Sequence, residues 1–313
     1  MIAALGAFDG FHLGHARLFE TARERALCRH EEWGVITFSP HPQALFSGTT
    51  FRYLFTESER EALGRFHCIP RFVRIPFTRG LAEMKPSDFL DWIGDSYNIS
   101  GLVVGENFHF GRGRSGNCVF LQEEGAARKW TVDILPPVKV GHENVSSTLI
   151  RQKVAIGETR AAEPLLGHPF FLSGTVVKGD QRGRSLGFPT ANLAIPAEKL
   201  VPQRGVYTAA VLVDRHWHPA ALNIGFNPTF TGIRALRVEA HLIGFDGDLY
   251  GRQLTVLFLD RLRGELQFPG VQELVIQMHE DISEANSLWY SYSSGHETML
   301  QRLGECFEPS SGD

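Results

Sequence analysis

Between Ser173 and Asn192 the chain reads Ser-Gly-Thr-Val-Val-Lys-Gly-Asp-Gln-Arg-Gly-Arg-Ser-Leu-Gly-Phe-Pro-Thr-Ala-Asn. An extended start opens into a loop holding Gly179, Gly183 and Gly187, and a proline-fixed turn then presents Thr190 and Asn192. Glycines let backbone N–H groups come close to an anion, and Arg184 adds charge. A hydroxyl and an amide oxygen are hard ligands for Mg²⁺. The combination suits a metal-bound nucleotide, although the same string would serve as a glycine-rich hairpin with solvated arginines.

A second group lies at the start of the chain, Gly6-Ala-Phe8-Asp-Gly-Phe-His12-Leu-Gly-His15. It falls between an apolar run and a stretch of helix-forming composition, where α/β folds lay phosphates over a helix N-terminus. Two imidazoles three residues apart share a helix face and can donate to phosphate oxygens. Ser146-Ser147-Thr148-Leu-Ile-Arg151 offers a second helix start with hydroxyls and a guanidinium for the same polyphosphate, or simply a good N-cap. A third candidate is Glu239, an acid in the otherwise packing-type run Leu-Arg-Val-Glu-Ala-His-Leu. By strand alternation it is either a base in a site or a solvated side chain.

Elements must hold these groups in place. Apolar runs at residues 2–8, 34–38, 72–76, 101–104 and 132–138 alternate with helical stretches, including a capping-box start at Thr56-Glu-Ser-Glu59 and a start at Ser87. This pattern predicts a doubly wound α/β domain with a parallel sheet. After helical pieces that run from Ser147 to Leu166, Gly167-His168-Pro169 breaks the pattern. Short β runs follow at 171–177, 206–213, 219–224, 236–243 and 253–258, which predict a small antiparallel barrel. The expected domains are therefore 1–167 and 168–313. A C-terminal amphipathic helix from Val271 to Tyr290 should pack on the barrel, with the last twenty or so residues loosely ordered.

The chain has 313 residues, 43% of them hydrophobic, enough for two cores. Lys and Arg number 31 against 35 acidic residues, so there is no basic excess of the kind that binds nucleic acid or anionic membranes. The apolar start reaches Asp9 without a basic region, and no stretch is long enough to span a bilayer. Cys28, Cys68, Cys118 and Cys306 are widely spaced and read as reduced thiols in a cytoplasmic protein. A homo-oligomer is left open.

The string Gly-Arg-Ser-Leu-Gly-Phe-Pro-Thr-Ala-Asn-Leu resembles the signature of riboflavin kinases. Phe-Asp-Gly-x-His-x-Gly-His, Phe38-Ser-Pro-His-Pro42, Gly105-Glu-Asn-Phe-His-Phe-Gly111 and Ser-Ser-Thr-x-x-Arg resemble, in order, the FMN adenylyltransferase module of the bifunctional bacterial riboflavin kinase/FAD synthetases. The resemblance implies that ATP converts riboflavin to FMN at the C-terminal barrel, and that a second ATP adenylylates FMN to FAD at the N-terminal domain.

Carried onto this sequence, it implies catalytic roles for Glu239, His12, His15 and Arg151. ATP contacts fall to Gly6, Phe8, Ser147, Thr148, Gly179, Gly183 and Arg184, and Mg²⁺ ligands to Thr190 and Asn192. His41, Asn107, Phe46, Phe108 and Phe110 are expected to shape the flavin pocket. Asn223 to Phe230 and Phe245 to Gly251 also resemble kinase segments and are expected mainly to form turns. Two departures bear on the first domain. Met1 directly precedes the first strand, where the family has a preceding segment, so that domain is expected to be less buttressed. Ala7 stands where many members carry a polar residue. The rival expectations are a kinase with an inactive nucleotide-binding N-terminal domain and a non-catalytic flavin-binding module.

Overall fold

Residues 1–47, 50–179, 183, 186–228 and 234–307 are described in the computed structural model of the chain. They cluster into two units, Met1–Tyr53 with Leu63–Ser147, and Leu54–Ala62 with Thr148–Asp313. The first unit is built on a parallel sheet ordered β3-β2-β1-β4-β5. Its strands are β1 Ile2–Leu5, β2 Trp33–Ser39, β3 Phe72–Pro76, β4 Gly101–Gly105 and β5 Thr131–Leu135.

β1 and β4 are apolar at nearly every position because both sheet faces are covered. Ala3, Leu5, Ile36, Phe38, Leu102 and Val104 share a core with Phe89, Leu90 and Ile93 of α5 Pro86–Tyr97 and Leu121 of α6 Cys118–Ala127. The alternate positions Ile2, Ala4, Val35 and Val103 are fully buried as well. α1 Leu13–Arg29 packs on β1, β2 and β4 and buries Leu18, Phe19, Ala22 and Ala26, one stripe of its surface. α5 starts at Pro86 after Lys85, so Ser87 lies inside the first turn instead of capping it. Pro86 needs no N–H partner there, which fixes the earlier start. The strand order reverses between β1 and β4, and a sheet of this kind opens a crevice at that point beyond the strand C-termini.

The second unit is a closed antiparallel barrel ordered β10-β11-β12-β9-β8-β13. It comprises β8 Phe171–Val177, β9 Ala191–Ala194, β10 Gly205–Val213, β11 His216–Pro228, β12 Arg234–Leu242 and β13 Gln253–Arg263. The four residues of β9 carry too little periodicity to be read as a strand; pairing with β8 and β12 makes them one. β10 is buried on both faces, since its neighbours close the barrel and α9 Val271–Glu305 packs outside. α9 runs beyond the predicted end near Tyr290. Leu300 and Leu303 are buried, and the Trp217 indole N–H donates to the Leu300 carbonyl at 2.9 Å. Residues 308–313 lie outside the described residues.

The units divide between Ser147 and Thr148, which groups α7 Ser147–Ala155 and α8 Thr159–Leu166 largely with the barrel. Leu54–Ala62 joins the same unit, and a buried ion pair gives the reason. Lys199 Nζ lies 2.7 Å from Glu59 Oε2, with the two side chains 0% and 1% exposed. The ammonium also donates to the carbonyls of Leu54 and Phe171 and sits over the Phe55 and Phe170 rings. Glu59 Oε1 accepts from the Ser173 N–H at 2.7 Å, and Oε2 accepts from the Thr56 N–H. The capping box that opens α3 Glu57–Phe66 therefore also anchors the first barrel strand.

Candidate active sites

In the first unit a cavity of about 330 Å³ lies at the sheet crevice. Leu5 to Phe8 come at and after the end of β1, Gly105 to Phe108 at and after that of β4, and Leu135 to Val138 at and after that of β5; the lining also includes His12, Gly14, His15, Arg17, Leu18 and Val145 to Ser147. Gly6 is required here, since a Cβ would meet the Phe8 ring at 2.9 Å. That ring folds back and meets His15 edge-on, with centroids 4.9 Å apart.

His12 caps α1, its Nδ1 accepting from the His15 backbone N–H at 3.3 Å. Nδ1 is thereby held as the acceptor, so the neutral ring carries its proton on Nε2, the tautomer that can donate to a phosphate. The two imidazoles stack with centroids 3.6 Å apart. Burial, then the proximity of His12, His67 and His41, holds the His15 pKa well below the usual histidine value. His15 is therefore neutral at pH 7, and its Nδ1 is buried without a hydrogen-bond partner among the described residues.

The structure gathers Gly6, Phe8, His12, His15, Asn107, Phe108 and Ser147 around this cavity. His41, Phe46 and Phe110 are not among its lining residues. The His41 ring stacks on Phe51 at 4.7 Å and its Nδ1 accepts from the Gln43 N–H, at the start of α2 Pro42–Ser47. Phe46 is exposed near Phe77, and Phe110 is a core residue stacked on Phe108. Thr148 and Arg151 lie on α7, whose first residue Ser147 lines the cavity, but they belong to the second unit.

The second unit carries two cavities that share Thr190. One, of about 510 Å³, is walled by Val176, Pro189, Phe245, Leu249 and Tyr250. The other, of about 390 Å³, has an apolar body that includes Leu222, Phe268 and Met278 and a polar end with Asn223, Glu239 and His241. Strand register creates that polar end. Glu239 of β12 pairs with Asn223 of β11 on one side and Asn192 of β9 on the other. Directly paired residues point to the same face, so three polar side chains form a row across three strands.

Asn192 is set by a glycine: a Cβ at Gly179 would lie 2.4 Å from the Asn192 amide. Pro189 is tied to β12 by His241, whose Nδ1 lies 2.8 Å from the Pro189 carbonyl and must donate to it. Gly183 lines the smaller cavity, while Arg184 lies outside the described residues. Arg263 of β13 and Asp281 of α9 line it too, joined through Arg263 Nη2 and Asp281 Oδ2 at 2.6 Å.

The sequence reading took Asn223 and the segment from Phe245 to Tyr250 mainly as turns within kinase-like segments, whereas Asn223 stands in β11 and both line cavities. A usable signal existed for Asn223, a lone amide in an otherwise small or apolar strand run. For Phe245–Tyr250 nothing local distinguished a cavity wall from a turn, because the other wall comes from β8 and Pro189.

Two family models match the chain, FAD synthetase over residues 1–149 and riboflavin kinase over residues 166–289. A Pseudomonas fluorescens protein named bifunctional riboflavin kinase/FMN adenylyltransferase is 35% identical over 92% of each chain. Proteins of the same name from Listeria monocytogenes and Escherichia coli are 31% and 34% identical, covering 92% and 90% of each chain. A solved Streptococcus pneumoniae structure, described as a macrolide-efflux protein, superposes with a TM-score of 0.84 at 30% identity, over 91% of this chain and 93% of that one. Among the described residues here, no helix is long and apolar enough to cross a membrane.

Proposed function

The chain belongs to the bifunctional riboflavin kinase/FMN adenylyltransferase family, and we propose that two separate sets of residues carry its two reactions. It phosphorylates riboflavin with ATP to give FMN, then adenylylates FMN with ATP to give FAD and pyrophosphate. The kinase reaction is assigned to the barrel, within residues 168–313. The observation that carries this assignment is the Asn223–Glu239–Asn192 row beside Thr190, the residue common to both barrel cavities.

A flat, largely apolar isoalloxazine suits the cavity with the apolar body and directs its ribityl chain toward Glu239. The adenine of ATP suits the slot between Pro189 and Tyr250, with its phosphates reaching Thr190. Glu239 takes the proton of the terminal ribityl hydroxyl as that oxygen attacks the γ-phosphorus. The bond from that phosphorus to the β,γ-bridging oxygen breaks, and ADP leaves. Thr190 and Asn192 offer a hydroxyl and an amide oxygen, a donor set that fits Mg²⁺, and Gly179 leaves the space in which that amide sits. When bound, the metal would neutralise phosphate charge.

Adenylylation makes a different demand. The FMN phosphate is already an anion, so no base is needed, only alignment and stabilisation of the leaving pyrophosphate. In this reading the crevice of the first unit holds the ATP phosphates over the α1 N-terminus, with His12 donating through Nε2. His15, Ser147, Thr148 and Arg151 are the further phosphate contacts, Gly6 and Phe8 line the nucleotide, and Asn107 meets the flavin with Phe108. The four cysteines are free, in keeping with a cytoplasmic enzyme.

Variants separate the two sites. Glu239→Ala is expected to lower FMN formation by about 100-fold or more while FAD formation from supplied FMN persists. His15→Ala and Arg151→Ala should do the reverse. Loss of both activities in soluble, folded Glu239→Ala protein contradicts the two-site assignment.

A further inference from the structure

The ATP phosphates assigned to the crevice carry several negative charges, and the residues named for them bring little permanent positive charge to its wall. His15 is neutral at pH 7, held so first by burial and then by the neighbouring histidines. Arg151 is not among the residues lining the crevice. Among the described residues, Arg17 is the one arginine or lysine that lines it, and Glu106 is the one acid.

Arg17 stands on α1 three residues after Gly14, and both line the crevice together with Leu18. Side chains on a helix lean toward its N-terminus, so a guanidinium at this position covers the turn before it, near the unpaired N–H groups of the helix start. Its one hydrogen bond among the described residues runs from Nη1 to Glu20 Oε2 at 2.9 Å. Glu20 is not part of the lining, so the pair ties a lining cation to a carboxylate outside it. The two side chains are 53% and 47% exposed, and an ion pair that open to water is weak. A phosphate group instead offers the guanidinium a two-pronged, charge-assisted contact. Exchange of the carboxylate for phosphate is therefore favourable.

We propose that Arg17 is a further contact for the outer phosphates of ATP in FAD formation, held by Glu20 until the nucleotide arrives and then turned onto the β- and γ-phosphates. The element decides between ATP and FMN: Arg17 belongs to α1, over whose start the ATP phosphates lie, whereas Asn107 and Phe108, assigned to the flavin, come after β4. As an FMN phosphate oxygen attacks the α-phosphorus, the bond from that phosphorus to the α,β-bridging oxygen breaks. The guanidinium then meets the charge that builds on the departing pyrophosphate. This role rests on the crevice being the adenylylation site.

The test is steady-state FAD formation from FMN in the wild type, Arg17→Gln, Arg17→Lys, Glu20→Gln, the Arg17→Gln/Glu20→Gln double variant and His15→Ala. ATP and FMN are varied in turn, and pyrophosphate is added as product inhibitor. Arg17→Gln should lower kcat/KM for ATP by about 10-fold and weaken inhibition by pyrophosphate to a similar extent, while KM for FMN stays near the wild-type value. Arg17→Lys keeps the charge but loses the fork, and should fall between the two. Glu20→Gln should raise kcat/KM for ATP by about twofold, and only while Arg17 is present. A gain that persists in the double variant would be a field effect of the lost carboxylate and would overturn the exchange. An unchanged kcat/KM for ATP in Arg17→Gln, or a defect confined to the KM for FMN, overturns the contact with ATP if His15→Ala is impaired. Wild-type FAD formation in His15→Ala would overturn the crevice assignment beneath it instead.

Discussion

Among the histidines of this chain that hydrogen-bond to the backbone, three stand out by their place in the fold. Capping α1 holds the His12 Nδ1 as an acceptor, and the contact with Pro189 makes His241 a brace for the Pro-Thr turn. His168, at the break between the helical and β patterns, is the third. Its Nδ1 lies 2.9 Å from the Pro169 carbonyl, and burial brings its pKa from 6.5 down to about 4, with the charge of Lys199 adding to the effect. A histidine depressed in the fold stabilises it fully above its unfolded pKa and loses that contribution as pH falls toward the folded value. The window is therefore about pH 6.5 down to 4, and the linked loss is roughly 3 kcal/mol. Urea unfolding across that window should show a slope that is reduced in His168→Gln. An unchanged slope would contradict the assignment.

At the scale of elements, the parallel sheet and the barrel were legible because buried strands are written as apolar runs and a change of period marks a change of architecture. β9 and the far end of α9 were not. β9 is defined by its partners, and the end of α9 is held by Leu300 and Leu303 among residues whose composition reads as polar. The Thr56–Glu59 box was legible as a cap, but its second task was not, since Lys199 is 140 residues away. Breaking that buried pair by Lys199→Met or Glu59→Leu alone should cost about 3–5 kcal/mol. The double variant should be destabilised by clearly less than the sum, as urea midpoints would show; strict additivity would mean that the pair is not coupled. Both single variants should also lower kinase yield, although Glu59 lies in the half of the sequence that matches the FAD synthetase model.

At the scale of the whole molecule, one chain carries two cores and two kinds of candidate site. The first is a crevice where a parallel sheet reverses its strand order, the second a polar row across the outside of a closed barrel. The motif strings made the candidate sites legible because each puts its reacting groups within a few residues of one another. The walls of the barrel cavities came from segments far apart in sequence and appeared only on folding. The most direct measurement follows the products of flavin-stripped protein with ATP and Mg²⁺, supplied with riboflavin in one reaction and FMN in another. Two working sites predict FMN and then FAD in the first reaction, and FAD in the second. FMN that accumulates without FAD in the first, with none formed in the second, would contradict a functional crevice in the parallel-sheet unit.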